Sequence, residues 1–276
     1  MKTALRVALA TQHGKEAVIA PEFAQTLGWR VEVVAIDTDA YGTFSGDCPR
    51  ELGPEATALA KARGGIDASG IPRGLASEGT IGPDPRMPLI TADHEILAYV
   101  DLEHGTQLTQ WHHSADIVAF SHTISAETSW EELARQADLP QHAVIVRNDS
   151  QPVYWVRKGL REIDEVRDAV RACQYDTGGP VVVETDYRAM VCPSRQAVIG
   201  ACAKKLATRL STPCPQCSTG GWGVVGVQRG LPCRECGTLA QEAIAGEEWG
   251  CVSCDHTVVT PSAETVDPAR CPRCNP

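Results

Sequence analysis

The chain has 276 residues, a formal net charge of −10, 43% apolar residues and only 5% aromatics. That length suits one sizeable domain with a smaller one beside it. The charge disfavours nucleic acid unless a local basic patch exists, and no run of about 18 apolar residues offers a membrane span.

In chain order, Leu5–Ala10 reads as a buried strand and Thr11–Lys15 as a polar loop. Glu16–Leu27 reads as a helix with Val18, Ile19, Phe23 and Leu27 on one stripe, ended by Gly28. Val31–Ile36 is a second strand and Asp37–Gly53 a loop. Pro54–Ala68 is an Ala-rich helix with Pro54 in its first turn. Gly74–Ile81 is a strand running into a glycine turn. Ile96–Leu102 and Thr106–Trp111 form a hairpin about His104-Gly105. Ile117–Ser125 is a further strand, Trp130–Ala137 and Ile163–Cys173 are helices, Val181–Thr185 is a strand and Ser194–Leu210 a long helix. Mixed elements of this kind predict an α/β domain over 1–210, ending at Ser211-Thr212-Pro213, and a small domain over 211–276. Met1 to Ala10 lacks the basic head, long apolar stretch and cleavage site of a signal peptide, so a cytoplasmic location is expected.

Cysteine usage separates the two parts. Cys48, Cys173, Cys192 and Cys202 are scattered, whereas Cys214/Cys217, Cys233/Cys236, Cys251/Cys254 and Cys271/Cys274 form four C-x-x-C pairs, with 15, 14 and 16 residues between successive pairs. A C-x-x-C turn projects two thiolates to one side, and two such turns complete a tetrahedral S4 site suited to structural zinc. Two zinc ions are expected, with each gap filled by two short strands and a turn. Trp249-Gly-Cys-Val-Ser-Cys254 and Asp267-Pro-Ala-Arg-Cys-Pro-Arg-Cys274 look like a rubredoxin-type ribbon. That favours the third and fourth pairs on one ion and the first two on the other, with nested pairing as the alternative. Thiolates do not exclude iron. A module this small depends on its metal for most of its folding energy. Its Arg229, Arg234, Arg270 and Arg273 are offset by Glu235, Glu242, Glu247, Glu248 and Glu264, so a protein partner or plain stabilisation fits as well as nucleic acid.

Candidates for chemistry in the larger domain sit at strand ends. Thr11, His13 and Lys15 occupy the loop before the first helix, where a helix N-terminus and a lysine favour phosphate, a solvated loop being the plain alternative. Glu55 stands in the first turn of its helix with Lys61 six residues later; it also complements the helix dipole. Glu78, at a cleft edge between Ser77 and Gly79, either reaches a shared metal or caps the turn. Asp93-His94-Glu95 is a polar cluster in which His94 with Asp93 is the pair to line a cleft. His112 and His113, adjacent on a strand, point to opposite faces. His122 reads as a surface histidine, and Cys192 as a small buried residue or a nucleophile.

Residues 5–82 resemble the house-cleaning nucleoside triphosphate pyrophosphatases, which include the inosine/xanthosine triphosphatases. The resemblance rests on Ala8-Leu-Ala-Thr-Gln-His-Gly-Lys15, on Glu55-Ala-Thr-Ala-Leu-Ala-Lys-Ala62, and on Ser69-Gly-Ile-Pro-Arg-Gly-Leu-Ala-Ser-Glu-Gly-Thr80. Thr185-Asp-Tyr-Arg188 with Ser194-Arg195 is similar to that family's arginine-bearing turn before its last helix. The resemblance implies a mixed-sheet α/β fold of that type for the first domain, and the cysteine spacing places a double zinc ribbon after it. It also implies Mg2+-dependent hydrolysis of a triphosphate, standard or deaminated, to monophosphate and pyrophosphate. Glu55 and Glu78 would hold Mg2+; Thr11, His13, Lys15, Lys61, Arg188 and Arg195 would bind the substrate. His13 stands where that family has Asn, and Ser77-Glu78-Gly79 replaces its acidic pair. Over its whole length the chain also resembles an uncharacterised bacterial family with the same body and a Cys-x-x-Cys-Asn-Pro ending, a resemblance that implies no activity. The alternative function is a non-catalytic nucleotide sensor or partner-binding protein whose ribbons dock protein or nucleic acid.

Overall fold

A computed structural model describes residues 4–41, 52–85, 87–150 and 152–276. Cys48 and most of the loop expected over Asp37–Gly53 lie outside these residues. The chain forms two compact units, Met1–Leu206 and Ala207–Pro276.

The first unit contains two sheets. One has the order β2-β1-β3-β4-β5, with β1 (Arg6–Ala10), β2 (Arg30–Val34), β3 (Arg73–Pro83), β4 (Thr91–Asp101) and β5 (Thr106–Ser114). β1 runs parallel to β2 and β3, and β3-β4-β5 is an antiparallel meander. The hairpin foreseen at His104-Gly105 is thus longer than expected, since β4 begins at Thr91.

Helix α2 (Pro54–Ser69) covers one face of this sheet, burying Ala58, Ala62 and Ile66 against Ala10, Ala76, Ile96, Ala98 and Val100. Small residues let it lie close. A Cβ on Gly74 would collide with the Ala62 carbonyl, so glycine is required where the helix crosses β3. Helices α1 (Glu16–Leu27) and α5 (Pro193–Ser211) cover the other face, where Phe23, Ile19, Ile199 and Leu206 are fully buried. Each such side chain contributes roughly 1.5–3 kcal/mol.

The second sheet, β6-β9-β7-β8, is antiparallel: β6 (Ser121–Thr123), β7 (Val144–Asn148), β8 (Val156–Leu160) and β9 (Val181–Thr185). Helices α3 (Trp130–Gln136) and α4 (Ile163–Thr177) enclose its core through Leu133, Val166, Ala169 and Val170. The strand expected over Ile117–Ser125 shrinks to three residues. Upstream of it the backbone bonds to side chains instead of a ladder: Val118 N–H to Ser194 Oγ and Phe120 N–H to Thr185 Oγ1. β7 and β8 are not among the expected elements: β7 is an apolar run that does have flanking turn residues, Pro140 and Asn148-Asp149-Ser150, whereas β8 is a mostly polar run containing Gly159.

The second unit is a three-stranded antiparallel sheet of β10 (Gly223–Pro232), β11 (Leu239–Gly250) and β12 (Thr257–Pro261). Each gap between the first three cysteine pairs is a single long strand, not two short strands and a turn.

Candidate functional site

The four cysteine pairs form two clusters. Cys214, Cys217, Cys251 and Cys254 make one; Cys233, Cys236, Cys271 and Cys274 make the other. Strand direction dictates this interleaving. β10 leads from the first pair to the second, and β11 returns antiparallel with Gly250 opposite Gly223, which brings the third pair beside the first. β12 reverses again, and the Val266–Cys233 bridge brings the fourth pair to the second. The adjacent pairing expected from the rubredoxin-like segments is therefore corrected: single-strand gaps send consecutive pairs to opposite ends of the sheet.

Sulfur separations across the clusters are 3.9 Å (Cys214–Cys254), 3.6 Å (Cys217–Cys251), 4.0 Å (Cys233–Cys274) and 3.6 Å (Cys236–Cys271). A tetrahedron with Zn–S bonds of about 2.3 Å has edges of about 3.8 Å, whereas a disulfide needs about 2.05 Å. Backbone amides point at the sulfurs, as from Gln216 to Cys214, Ser253 to Cys251 and Arg273 to Cys271. Hydrogen bonds from Thr219 and Thr238 hold the Cys217 and Cys236 thiols down at about 6, while the crowded neighbouring sulfurs raise Cys254 and Cys274. The donor set fits a thiophilic tetrahedral ion in both clusters.

In the first unit a second constellation forms where β1 ends and β3 continues. Past Ala10 the chain leaves the sheet for the loop to α1, so the edge of β3 beyond Leu75 loses its neighbour. Lys15, at the N-cap position of α1, fills that gap: its ammonium donates to Ser77 Oγ at 2.8 Å and to Ser77 O at 3.2 Å. Burial, and then the charge of Arg195, lower Lys15 to about 8.

Side chains alternate across β3 and β4. Glu78 faces α2 and pairs with Lys61 at 2.5 Å, both almost fully buried. It is thus not at an open cleft edge. Ser77, Asp93 and Glu95 face α1 and α5, as the register pairs Glu95 with Gly79 and Asp93 with Ile81. Glu95 Oε1 accepts from Arg195 Nε at 2.7 Å, and Arg195 also donates to the Tyr187 carbonyl at 2.5 Å. A Cβ on Gly79 would strike both Glu95 and the Arg195 guanidinium, so a glycine is needed where they meet β3. Asp93 and Glu95 are both 0% exposed. Burial, then the charge on Glu95, push the Asp93 carboxyl up to about 7.

Lys15, Lys61, Glu78 and Arg195, together with Asp93 and Glu95, thus gather about β3 and β4. Glu55 does not join them: it is exposed in the first turn of α2 and accepts from Thr109 on β5 at 2.8 Å, two strands from Glu78. Thr11 is buried and its Oγ1 accepts from the His13 amide, within the β1–α1 loop. Arg188 turns to Asp186, meeting it at 2.6 and 3.0 Å.

His94 lies on the α2 side of β4, stacked on His113, so it does not line the face that holds Asp93. His112 faces the other way, toward Lys205, as alternation requires. Glu95, which the sequence reading leaves in the polar cluster without a role, stands on the same face as Asp93, and two acids spaced i, i+2 beside an apolar strand are a readable signal of that.

A further network was not visible in the sequence. His142 Nδ1 lies 2.7 Å from Asp138 and Nε2 2.9 Å from Ser194 Oγ. Despite its Ser-His-Asp composition it acts as a helix cap. Nε2 also accepts the Ser194 amide, Ser194 Oγ takes the Val118 amide, and Arg195 follows directly. Cys192, just before α5, is buried, which raises its thiol and keeps it unreactive.

Among solved structures, the chain is similar to a nucleoside-triphosphatase, dITP/XTP pyrophosphatase, of Mycobacterium abscessus, with 17% identity, 39% of this chain and 70% of that chain covered, and a TM-score of 0.28. It is also similar to protein VC0702 of Vibrio cholerae, with 11% identity, coverage of 73% and 92%, and a TM-score of 0.30. Neither likeness assigns an activity. No curated protein matches the chain. The model of a domain of unknown function, DUF6671, matches residues 61–276, and the chain belongs to that family.

Proposed function

We propose that the first unit is a metal-dependent hydrolase of nucleoside triphosphates, standard or deaminated, and that the second is a structural module holding two zinc ions. The observation behind the hydrolase reading is the gathering of Lys15, Lys61 and Arg195 with Glu78, Glu95 and Asp93 beyond the carboxyl end of β1. Buried ion pairs are weak stabilisers, so three cations and three acids concentrated beside a parallel strand end suit a ligand better than they suit packing. The sequence resemblance of residues 5–82 to the triphosphate pyrophosphatases supports the same reading.

Lys15 and Lys61 suit the phosphate chain, with Thr11 and His13 beside it, and Arg195 suits the charge that develops on departing pyrophosphate. Arg188 orders the turn before α5. A carboxylate takes the proton of the attacking water; Glu78, the candidate the resemblance names, must give up Lys61 to do so. Mg2+ would polarise the phosphoryl oxygens when bound. Glu55 is left with a helix-end role, complementing the α2 dipole.

Zinc follows from the S4 tetrahedra and their amide-to-sulfur bonds; two zinc per chain by elemental analysis is the expected value, and iron or no metal would refute it. For the hydrolase, a panel of common and deaminated triphosphates with Mg2+ or Mn2+ should show pyrophosphate release. Absence of turnover together with measurable nucleotide binding would favour a non-catalytic sensor; absence of both would end the nucleotide reading. No helix among the described residues is long and apolar enough to cross a membrane.

A further inference from the structure

We propose that Asp93 and Glu95 hold a divalent, oxygen-preferring cation on the α1/α5 face of β4, a site distinct from the Glu55–Glu78 pair. The inference rests on the triphosphate reading, because the cation would enter with the phosphates. The two residues are spaced i, i+2 on one strand, so their carboxylates share a face. Both are wholly buried. Glu95 Oε1 is used by Arg195, but Glu95 Oε2 and both Asp93 oxygens have no hydrogen-bond partner. Three such acceptors side by side are rare in a folded protein, where buried carboxylate oxygens are met by donors, water or an ion.

None of the positive groups nearby donates to those three oxygens, although the charges of Arg195 and Lys15 act on Asp93. Lys15 donates to Ser77, Lys61 to Glu78, and Arg195 to Glu95 Oε1 and the Tyr187 carbonyl. An ammonium or guanidinium suits the phosphate oxygens of a metal–triphosphate, and a pair of carboxylates suits its metal. Both kinds of group stand here side by side. The donors are all oxygen, which selects Mg2+ or Mn2+ over thiophilic ions.

The test uses the full chain as purified, with a purine triphosphate analogue carrying an imido link between its α and β phosphates. Its affinity is measured by calorimetry with and without Mn2+. In the wild type, Mn2+ should tighten binding more than tenfold. Asp93→Asn should lose that tightening. If Mn2+ tightens the wild type and Asp93→Asn equally, the cation sits elsewhere and the proposal fails. It also fails if Mn2+ has no effect on the wild type, although the nucleotide reading then stands.

If the analogue does not bind at all, the triphosphate reading falls. Electron paramagnetic resonance of Mn2+ alone then decides: binding lost in Asp93→Asn keeps the cation site, and no binding removes it. Should Asp93→Asn not fold, Fe2+-directed oxidative cleavage of the wild type replaces it. Within the first unit, cuts at residues 93–95 and 77–80 support the site, and cuts confined to other segments overturn it.

Discussion

Cys254→Ser should remove one metal ion and leave the other in place, with a pattern of exposed thiols set by the interleaved pairing. Cys254 belongs to the cluster with Cys214, Cys217 and Cys251. Its serine leaves three thiolates, too few for a closed structural site. Structural zinc contributes on the order of 10 kcal/mol or more to such modules. By contrast, the apolar cluster of this unit has only Leu231 and Val266 as large aliphatic members, worth roughly 1.5–3 kcal/mol each. Metal loss therefore outweighs the local packing, and the end of the sheet near Gly223 and Gly250 should open. The opposite cluster is a strand length away, on the order of 30 Å for β10, so Cys233, Cys236, Cys271 and Cys274 should keep their ion. Zinc content should fall from two to one per chain. Alkylation read by mass spectrometry should label Cys214, Cys217 and Cys251 while sparing the other four. Labelling of Cys271 and Cys274 in this variant would refute the interleaved pairing.

Three further outcomes follow from the first unit. Glu78→Gln leaves the buried Lys61 ammonium without its counter-charge and should cost about 3–5 kcal/mol in urea unfolding; adding Lys61→Met should recover most of that stability without restoring pyrophosphate release, and recovered turnover would exclude Glu78 from the chemistry. Gly79→Ala should displace Glu95 and Arg195, lowering nucleotide affinity by at least tenfold; wild-type affinity would show that the collision is absorbed elsewhere. Lys15, lowered to about 8 by burial, loses its charge as pH rises through that value, so affinity for a triphosphate should fall by up to tenfold per unit above pH 8 and level off below it. A Lys15→Arg variant should lack that inflection, and a wild-type affinity unchanged from pH 7 to 10 would remove Lys15 from phosphate binding.

Local pattern carried a large part of this protein. The four C-x-x-C pairs are legible because two thiolates on a short turn need nothing distant to be recognised. Helices α1 to α5 are legible because 3.6-residue periodicity and, for α1, the Gly28 stop are properties of adjacent residues. Lys15, Lys61, Glu78 and Arg195 could be singled out from the resemblance of short motifs. Partnership is a different matter, since it depends on which strand lies beside which. Antiparallel return of β11 and β12 decides that the first cysteine pair meets the third. Alternation across β4 puts Asp93 with Glu95 and sends His94 to the far side. The early end of β1 opens the edge of β3 that Lys15 fills, and the fold of α2 over β5 draws Glu55 to Thr109. Each of these outcomes is fixed by contacts between residues distant in the chain, which no single segment encodes.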